Sequence, residues 1–155
     1  MTTRIDRRMR ELGITLPPAV APVANYVPFR RSGSLLFIAG QVPLEGGEAK
    51  FTGILGAGVT VETGQRAARL CALNVLAQAS AALDGDLDRI VQCLRLGVFV
   101  AATPDFTQHP QVANGASDLM VEVLGDAGRH ARAAVGTASL PRGVPVEVDA
   151  IFEVR

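Results

Sequence analysis

The clearest pattern of hydrophobic and polar positions lies at the C-terminal end of the chain. Val144, Val146, Val148, Ala150, Phe152 and Val154 alternate there with Pro145, Glu147, Asp149, Ile151 and Glu153. A period of two predicts a strand whose valine face meets a core. "RIVQCLRLGVFVAA" (89–102) is apolar on both faces, as expected of a strand in a sheet covered on both sides. The segment from Tyr26 to Arg31 and the run "SLLFIAGQV" (34–42) predict two further strands, joined as a hairpin at Ser32–Gly33. "HARAAVGTASL" and "VPVEVDAIFEV" flank Pro141-Arg142-Gly143 and read as a second hairpin.

Between these strands the period lengthens. Val61, Ala68, Ala72, Val75, Ala79 and Leu83 recur at helical steps behind Thr60 and Glu62, which predicts a long helix ending near Asp84-Gly85. Val112, Leu119, Met120 and Val123 form the stripe of a second helix over 106–124, with Pro110 tolerable only near its start. Ile5, Met9 and Leu12 predict a short N-terminal helix over 3–12, opened by a Thr3/Asp6 capping box and stopped by Gly13. "LPPAVAP" is a connector, and the glycine-rich "LEGGEAKFTGILGAG" (44–58) reads as a surface loop with a short strand. No lysine follows those glycines in the spacing of a phosphate cradle.

The order is strand, strand, helix, strand, helix, strand, strand behind an N-terminal helix. It predicts one α+β domain over 1–155, with helices on one face of a mixed sheet and residues 1–20 as an extension. Two long helices cover only one sheet face. The other face is therefore expected to meet partner subunits in a homo-oligomer.

Composition narrows the function. The chain has 155 residues, a formal net charge of zero and 5% aromatic residues, so neither the basic footprint nor the stacking platforms of a nucleic-acid binder are present. Arg4, Arg7, Arg8 and Arg10 read as a solvated helix face, partly balanced by Asp6 and Glu11. Cys71 and Cys93 lie in apolar segments without metal-ligand spacing and read as small buried side chains. With no signal-like N-terminus and no apolar run of about eighteen residues, the expected location is cytoplasmic, with no membrane partner.

No Ser-His-Asp order, HExxH, paired CxxC or phosphate-loop lysine is present. His109, before a proline, and His130, at a strand border, read as capping or surface residues. Arg132 is the informative position. It shares a strand face with Ala134, Gly136 and Ala138, so its planar fork of donors borders room suited to a carboxylate. An ion pair with an acidic residue of the last strand is the alternative. Glu147 lies on the non-valine face of that strand, either as a general base or in a surface or oligomer salt bridge. If the second hairpin turns near 142, Arg132 pairs around residue 152, roughly 16 Å along the ladder from Glu147. One chain would then struggle to bring both to one small ligand, and a joint site would lie between subunits.

These residues resemble the YjgF/RidA family of reactive-intermediate (imine) deaminases, once described as L-PSP endoribonucleases. The resemblance rests on "ARAAVGTASLPRGVPVEVDAIFEV" (131–154), with a Leu-Pro proline nine residues after Arg132, and on "YVPFRRSGSLLFIAGQVP" (26–43), with Tyr26 fourteen residues before Gly40. It covers roughly 20–155. The N-terminal helix and "QVANGASDLMVEVLG" resemble the longer branch of the family. The resemblance implies a chorismate-mutase-like fold, a homotrimer built as a barrel, and ligand clefts between subunits. It implies that Arg132 binds a substrate carboxylate and that Glu147 positions or activates water. It places Tyr26, Gly40 and Asn114 in the pocket, with Ala39 and Ala134 where many members carry a small hydroxyl residue and a cysteine. The implied reaction is hydrolysis of a 2-imino acid, such as 2-aminoacrylate or 2-iminobutanoate, to a 2-oxo acid and ammonia without metal or cofactor. A small-carboxylate-binding or regulatory protein without turnover, and an endoribonuclease, are the competing readings.

Overall fold

The computed structural model describes residues 2–155. Helix α1 (Arg4–Glu11) begins at the expected capping box: Thr3 Oγ1 accepts from the Asp6 N–H, and the Asp6 carboxylate accepts from the Thr3 N–H at 2.9 Å. The backbone bond from Thr3 is the main reason the Asp6 carboxyl titrates below its ordinary range. The Asp88 carboxylate accepts from the Arg4 and Ile5 N–H groups, which docks the helix start on the rest of the chain. Ile5 and Met9 then bury in the main core.

Strands β1 (Phe29–Ser32) and β2 (Leu35–Gln41) form the first hairpin, with Ser32 opposite Leu35. Tyr26 to Pro28 lie outside β1, because Pro28 has no N–H to offer a ladder. Two small ribbons fill the glycine-rich segment: β3 (Leu44–Glu45) with β4 (Glu48–Ala49), and β5 (Ile54–Leu55) with β6 (Gly58–Val59). Helix α2 (Val61–Ala82) is capped by Thr60, whose hydroxyl accepts from the Thr63 N–H at 3.1 Å. Left-handed Asp84 and Gly85 follow its end. Strand β7 (Ile90–Ala101) leads to helix α3 (His109–Leu124), then β8 (Ala131–Thr137) and β9 (Val146–Val154). α3 starts three residues later than its pattern suggests, so that Pro110 sits in the first turn, where a missing N–H costs nothing.

The five long strands form one mixed sheet in the order β1-β2-β9-β7-β8. Both large helices cover one face, where the alternating valines of β9 meet Ala67, Ala68, Cys71, Ala72, Val75, Leu119 and Met120. Cys71 and Cys93 are buried free thiols, as expected. Burial pushes the Cys93 thiol up to about 12 and, together with the charge of Glu147, raises Cys71 well above the usual thiol range.

The second hairpin does not form. β8 pairs with β7, in parallel, and β9 pairs antiparallel with β7 and β2. α3 acts as a crossover between two parallel neighbours, so β8 takes the free edge of β7 and the Pro-Arg-Gly turn carries the chain past β7 to its other side. Turn residues alone report that the chain changes direction, and leave open which strand it joins. The expected pairing of Arg132 near residue 152 is corrected accordingly: Arg132 lies opposite Leu96, and Glu147 opposite Phe99.

α2 and α3 approach closely at Gly115, where a Cβ would collide with the Gln65 carbonyl oxygen. That contact is with backbone and has little room to give. Gly115→Ala should therefore destabilise the fold by about 1–3 kcal/mol, read as a lower urea midpoint at unchanged slope; an unchanged midpoint would show that the helices can separate freely.

The opposite sheet face carries Leu35, Phe37 and Val135, with Phe37 42% and Val135 48% exposed. No helix of the described residues covers it. None of those helices is long and apolar enough to cross a membrane.

Candidate functional site

The register decides which predicted residues meet. Arg132 and Ala134 lie opposite Leu96 and Val98, both buried beneath the helices, so they share the helix-covered face of the sheet. Glu147 lies opposite half-buried Phe99, on the other face. Within one chain these two residues therefore stand on opposite sides of the sheet, with β7 between their strands.

On the helix side, Arg132 sits on an edge strand and reaches over to α3. Its Nη1 donates to Asn114 Oδ1 at 2.8 Å and Ser117 Oγ at 3.0 Å, and its Nη2 donates to the Pro110 carbonyl at 3.4 Å. Residues 110, 114 and 117 are spaced four and three apart, which puts all three acceptors on one helix face. Ser117 is itself held by His130, whose Nε2 lies 2.9 Å from the hydroxyl, while Nδ1 lies 2.6 Å from the Gly128 carbonyl. A carbonyl can only accept, so Nδ1 carries the proton; in the neutral ring Nε2 then accepts from Ser117, leaving the hydroxyl oxygen free to accept from Arg132. The guanidinium is thus locked by neutral acceptors. Among the described residues it makes no salt bridge: Asp149 pairs with Arg95 at 3.5 Å, and Glu153 accepts from Gln92. The last-strand ion pair is absent, and the Nε–H donor has no protein acceptor among the described residues.

On the other side, Tyr26, Gly40 and Glu147 line one cavity of about 340 Å³, together with Arg142 and the segment Val20–Val23. The register between β2 and β9 slips between Ile38 and Gln41, so Ala39 and Gly40 form a bulge. Gly40 lets the Glu147 carboxylate sit against the bulge: a Cβ there would lie 2.8 Å from Glu147 Oε1 and push the carboxylate aside. Ala39 is in the bulge but not in the cavity wall, and Ala134 packs towards the core beside Arg132. Burial, and then the negative charge of Asp149, hold the Glu147 carboxyl above its ordinary range. Among the described residues neither Glu147 oxygen has a hydrogen-bond partner within the chain.

The structure thus gathers the predicted residues into two groups: Arg132, Asn114 and Ala134 on the helix-covered face, and Tyr26, Gly40 and Glu147 in a separate cavity, which Asn74 of α2 also lines, with Ala39 in the bulge beside it. Sequence reasoning missed Ser117 and Arg142, and read His130, which holds Ser117 in place, as a capping or surface residue. The i+3 step from Asn114 was a usable signal for Ser117, given a strand returning alongside α3. Nothing comparable marked Arg142, whose place in a turn hides what its side chain reaches.

Residues 6–148 match the family described as "YjgF/chorismate mutase-like, putative endoribonuclease". Protein TCP17 of Trypanosoma cruzi is 51% identical over 98% of this chain and 95% of its own. The crystal structure of Atu1372 from Agrobacterium tumefaciens is 54% identical, covers 97% of this chain and 92% of its own, and superposes with a TM-score of 0.91. The structure of E. coli TdcF with bound serine is 25% identical, covers 90% of this chain and 93% of its own, and has a TM-score of 0.59.

Proposed function

We propose, starting from the fact that the chain belongs to the YjgF/chorismate mutase-like family, that it hydrolyses 2-imino acids to 2-oxo acids and ammonia in clefts between the subunits of a homotrimer. The observation that carries this reading is the guanidinium of Arg132, fixed by Asn114, Ser117 and the Pro110 carbonyl yet lacking an anionic partner among the described residues. A positive charge so positioned favours a small carboxylate. The serine bound to TdcF is a ligand of that kind in a protein of the same fold.

Arg132 anchors the carboxylate in one subunit. Glu147, Tyr26 and Gly40 of a second copy face the imine carbon from across the cleft. That division follows from the two groups lying on opposite sheet faces, and it gives the exposed Leu35, Phe37 and Val135 a cover. Water adds to C2 of the imine, one proton passing through Glu147 to nitrogen to give a carbinolamine. Glu147 then takes the hydroxyl proton and delivers it to nitrogen as the C–N bond breaks, leaving the 2-oxo acid and ammonia. Arg132 is not expected to contact RNA: the chain is neutral and poor in aromatic residues.

The direct test generates 2-iminobutanoate in situ with a threonine dehydratase and follows ammonia release. Faster loss of imine with the protein than without it is expected. Sedimentation should return the mass of three chains; a mass of one chain would falsify the shared cleft, since no single subunit joins Arg132 to Glu147.

A further inference from the structure

Arg142 stands in the turn that enters β9, and anchoring one carboxylate at Arg132 leaves it without a task. Its backbone is left-handed, with φ 60° and ψ 15°, a conformation that glycine or asparagine adopts more readily than a long side chain does. A long cationic residue kept in such a backbone at a cavity wall points to use of the side chain.

The guanidinium donates to the Gly47 carbonyl at 3.2 Å, which sets it where two cavities meet. One is the cavity of Tyr26, Gly40 and Glu147, which Arg142 helps to line. The second, of about 260 Å³, continues beneath Pro17–Val20 to Gly46 and Gly47, and the two share Val20, Leu44 and Asn74 as walls. Among the described residues, Arg142 is the one cationic side chain lining either cavity and Glu147 the one anionic side chain. The two form no ion pair among the described residues, so the remaining guanidinium donors stay available. The amide donors nearby are engaged, Asn74 Nδ2 with the carbonyls of Val42, Leu44 and Leu70 and Gln41 Nε2 with that of Ala39, which leaves the neutral Tyr26 hydroxyl and the charged Arg142 fork as the side-chain donors open to a ligand among the described residues. A second negative group on a ligand would therefore be held at Arg142.

We propose that Arg142 selects ligands bearing a second carboxylate beyond the one at Arg132, so that the preferred substrates are 2-imino dicarboxylates rather than imino acids with plain alkyl side chains. For turnover this rests on the deaminase reading; for binding it stands alone. The reaction is the same hydrolysis, in which water supplies oxygen to C2 and nitrogen leaves as ammonia, while the distal carboxylate is unchanged.

Titration calorimetry with the stable products tests it. 2-Oxoglutarate and 2-oxopentanoate have the same chain length and differ in the distal carboxylate. The wild-type protein should bind the dicarboxylate at least about tenfold more tightly, the effect of one charge-assisted hydrogen bond. Arg142→Asn keeps a residue that tolerates the left-handed turn and should abolish that preference, and Arg142→Lys should restore part of it. Equal affinities in the wild type, binding of neither compound, or an undiminished preference in Arg142→Asn would overturn the proposal. Ammonia release from 2-iminoglutarate and 2-iminopentanoate should follow the same ratio. A protein that prefers 2-oxoglutarate through Arg142 but releases ammonia from neither imine would remove the deaminase reading and leave the dicarboxylate preference standing.

Discussion

Arg132→Ala should lower kcat/KM for 2-iminobutanoate by about 100-fold or more. Truncating one partner of a hydrogen-bonded charge pair costs about 2–5 kcal/mol, and each 1.36 kcal/mol is a factor of ten in rate. Most of the loss should appear in KM, because a carboxylate anchor holds ground state and transition state alike. The fold should survive, since Arg132 is only partly buried on the edge strand β8, and the acceptors it leaves on Asn114 and Ser117 lie where water can reach them. Arg132→Lys is not a conservative control here. An ammonium cannot satisfy three acceptors spread over residues 110, 114 and 117 and still offer a planar fork to a ligand, so it should recover little activity. Imine loss with the wild type and both variants no faster than without protein would mean that the locked guanidinium serves another anion, and binding without turnover would become the leading reading.

How much of this was legible beforehand depends on whether local or long-range order was at issue. The capping box at Thr3, the Thr60 cap of α2, the β1–β2 hairpin and the core face of β9 are consequences of a few adjacent residues, and each appears where the pattern placed it. The β8–β9 hairpin was misread because strand pairing is settled by which sheet edge remains open, and that depends on α3 having carried β8 alongside β7. The error matters for the site. A hairpin would have separated Arg132 and Glu147 along one ladder; the true order separates them across the sheet. For a site that used both residues each geometry would call for a second chain, and the observed one does so because Arg132 and Glu147 face opposite sides of a common sheet. The ring of acceptors around Arg132 was half visible. Asn114 came from the family resemblance, whereas Ser117 and the Pro110 carbonyl join it through the helical repeat of α3, which acquires meaning only once β8 lies beside that helix.

Glu147→Gln should reduce kcat about 100-fold, within the range for losing a positioned acid-base group, while leaving KM closer to the wild-type value than Arg132→Ala does. The pH dependence separates a chemical role from a structural one. Burial and the neighbouring charge of Asp149 raise the Glu147 pKa above the ordinary carboxylate value. If the ionised form starts the reaction by accepting a proton from water, wild-type kcat/KM should climb as pH rises through that raised pKa, and this limb should vanish in Glu147→Gln. Stability should move in the opposite sense. A carboxyl whose pKa is higher in the folded than in the unfolded chain contributes most below the unfolded value, and that contribution disappears as pH rises through the folded value. Glu147→Gln should thus match the wild type in acid and exceed it in stability at neutral pH, read from urea midpoints at several pH values. Asp149 offers a contrast, since its carboxylate already has Arg95 at 3.5 Å. A Glu147→Gln protein that is less stable at neutral pH would mean that the carboxylate is held by partners which the isolated chain does not provide. One that keeps full activity would remove Glu147 from the chemistry and pass the acid-base role to another group in the Tyr26–Gly40 cavity.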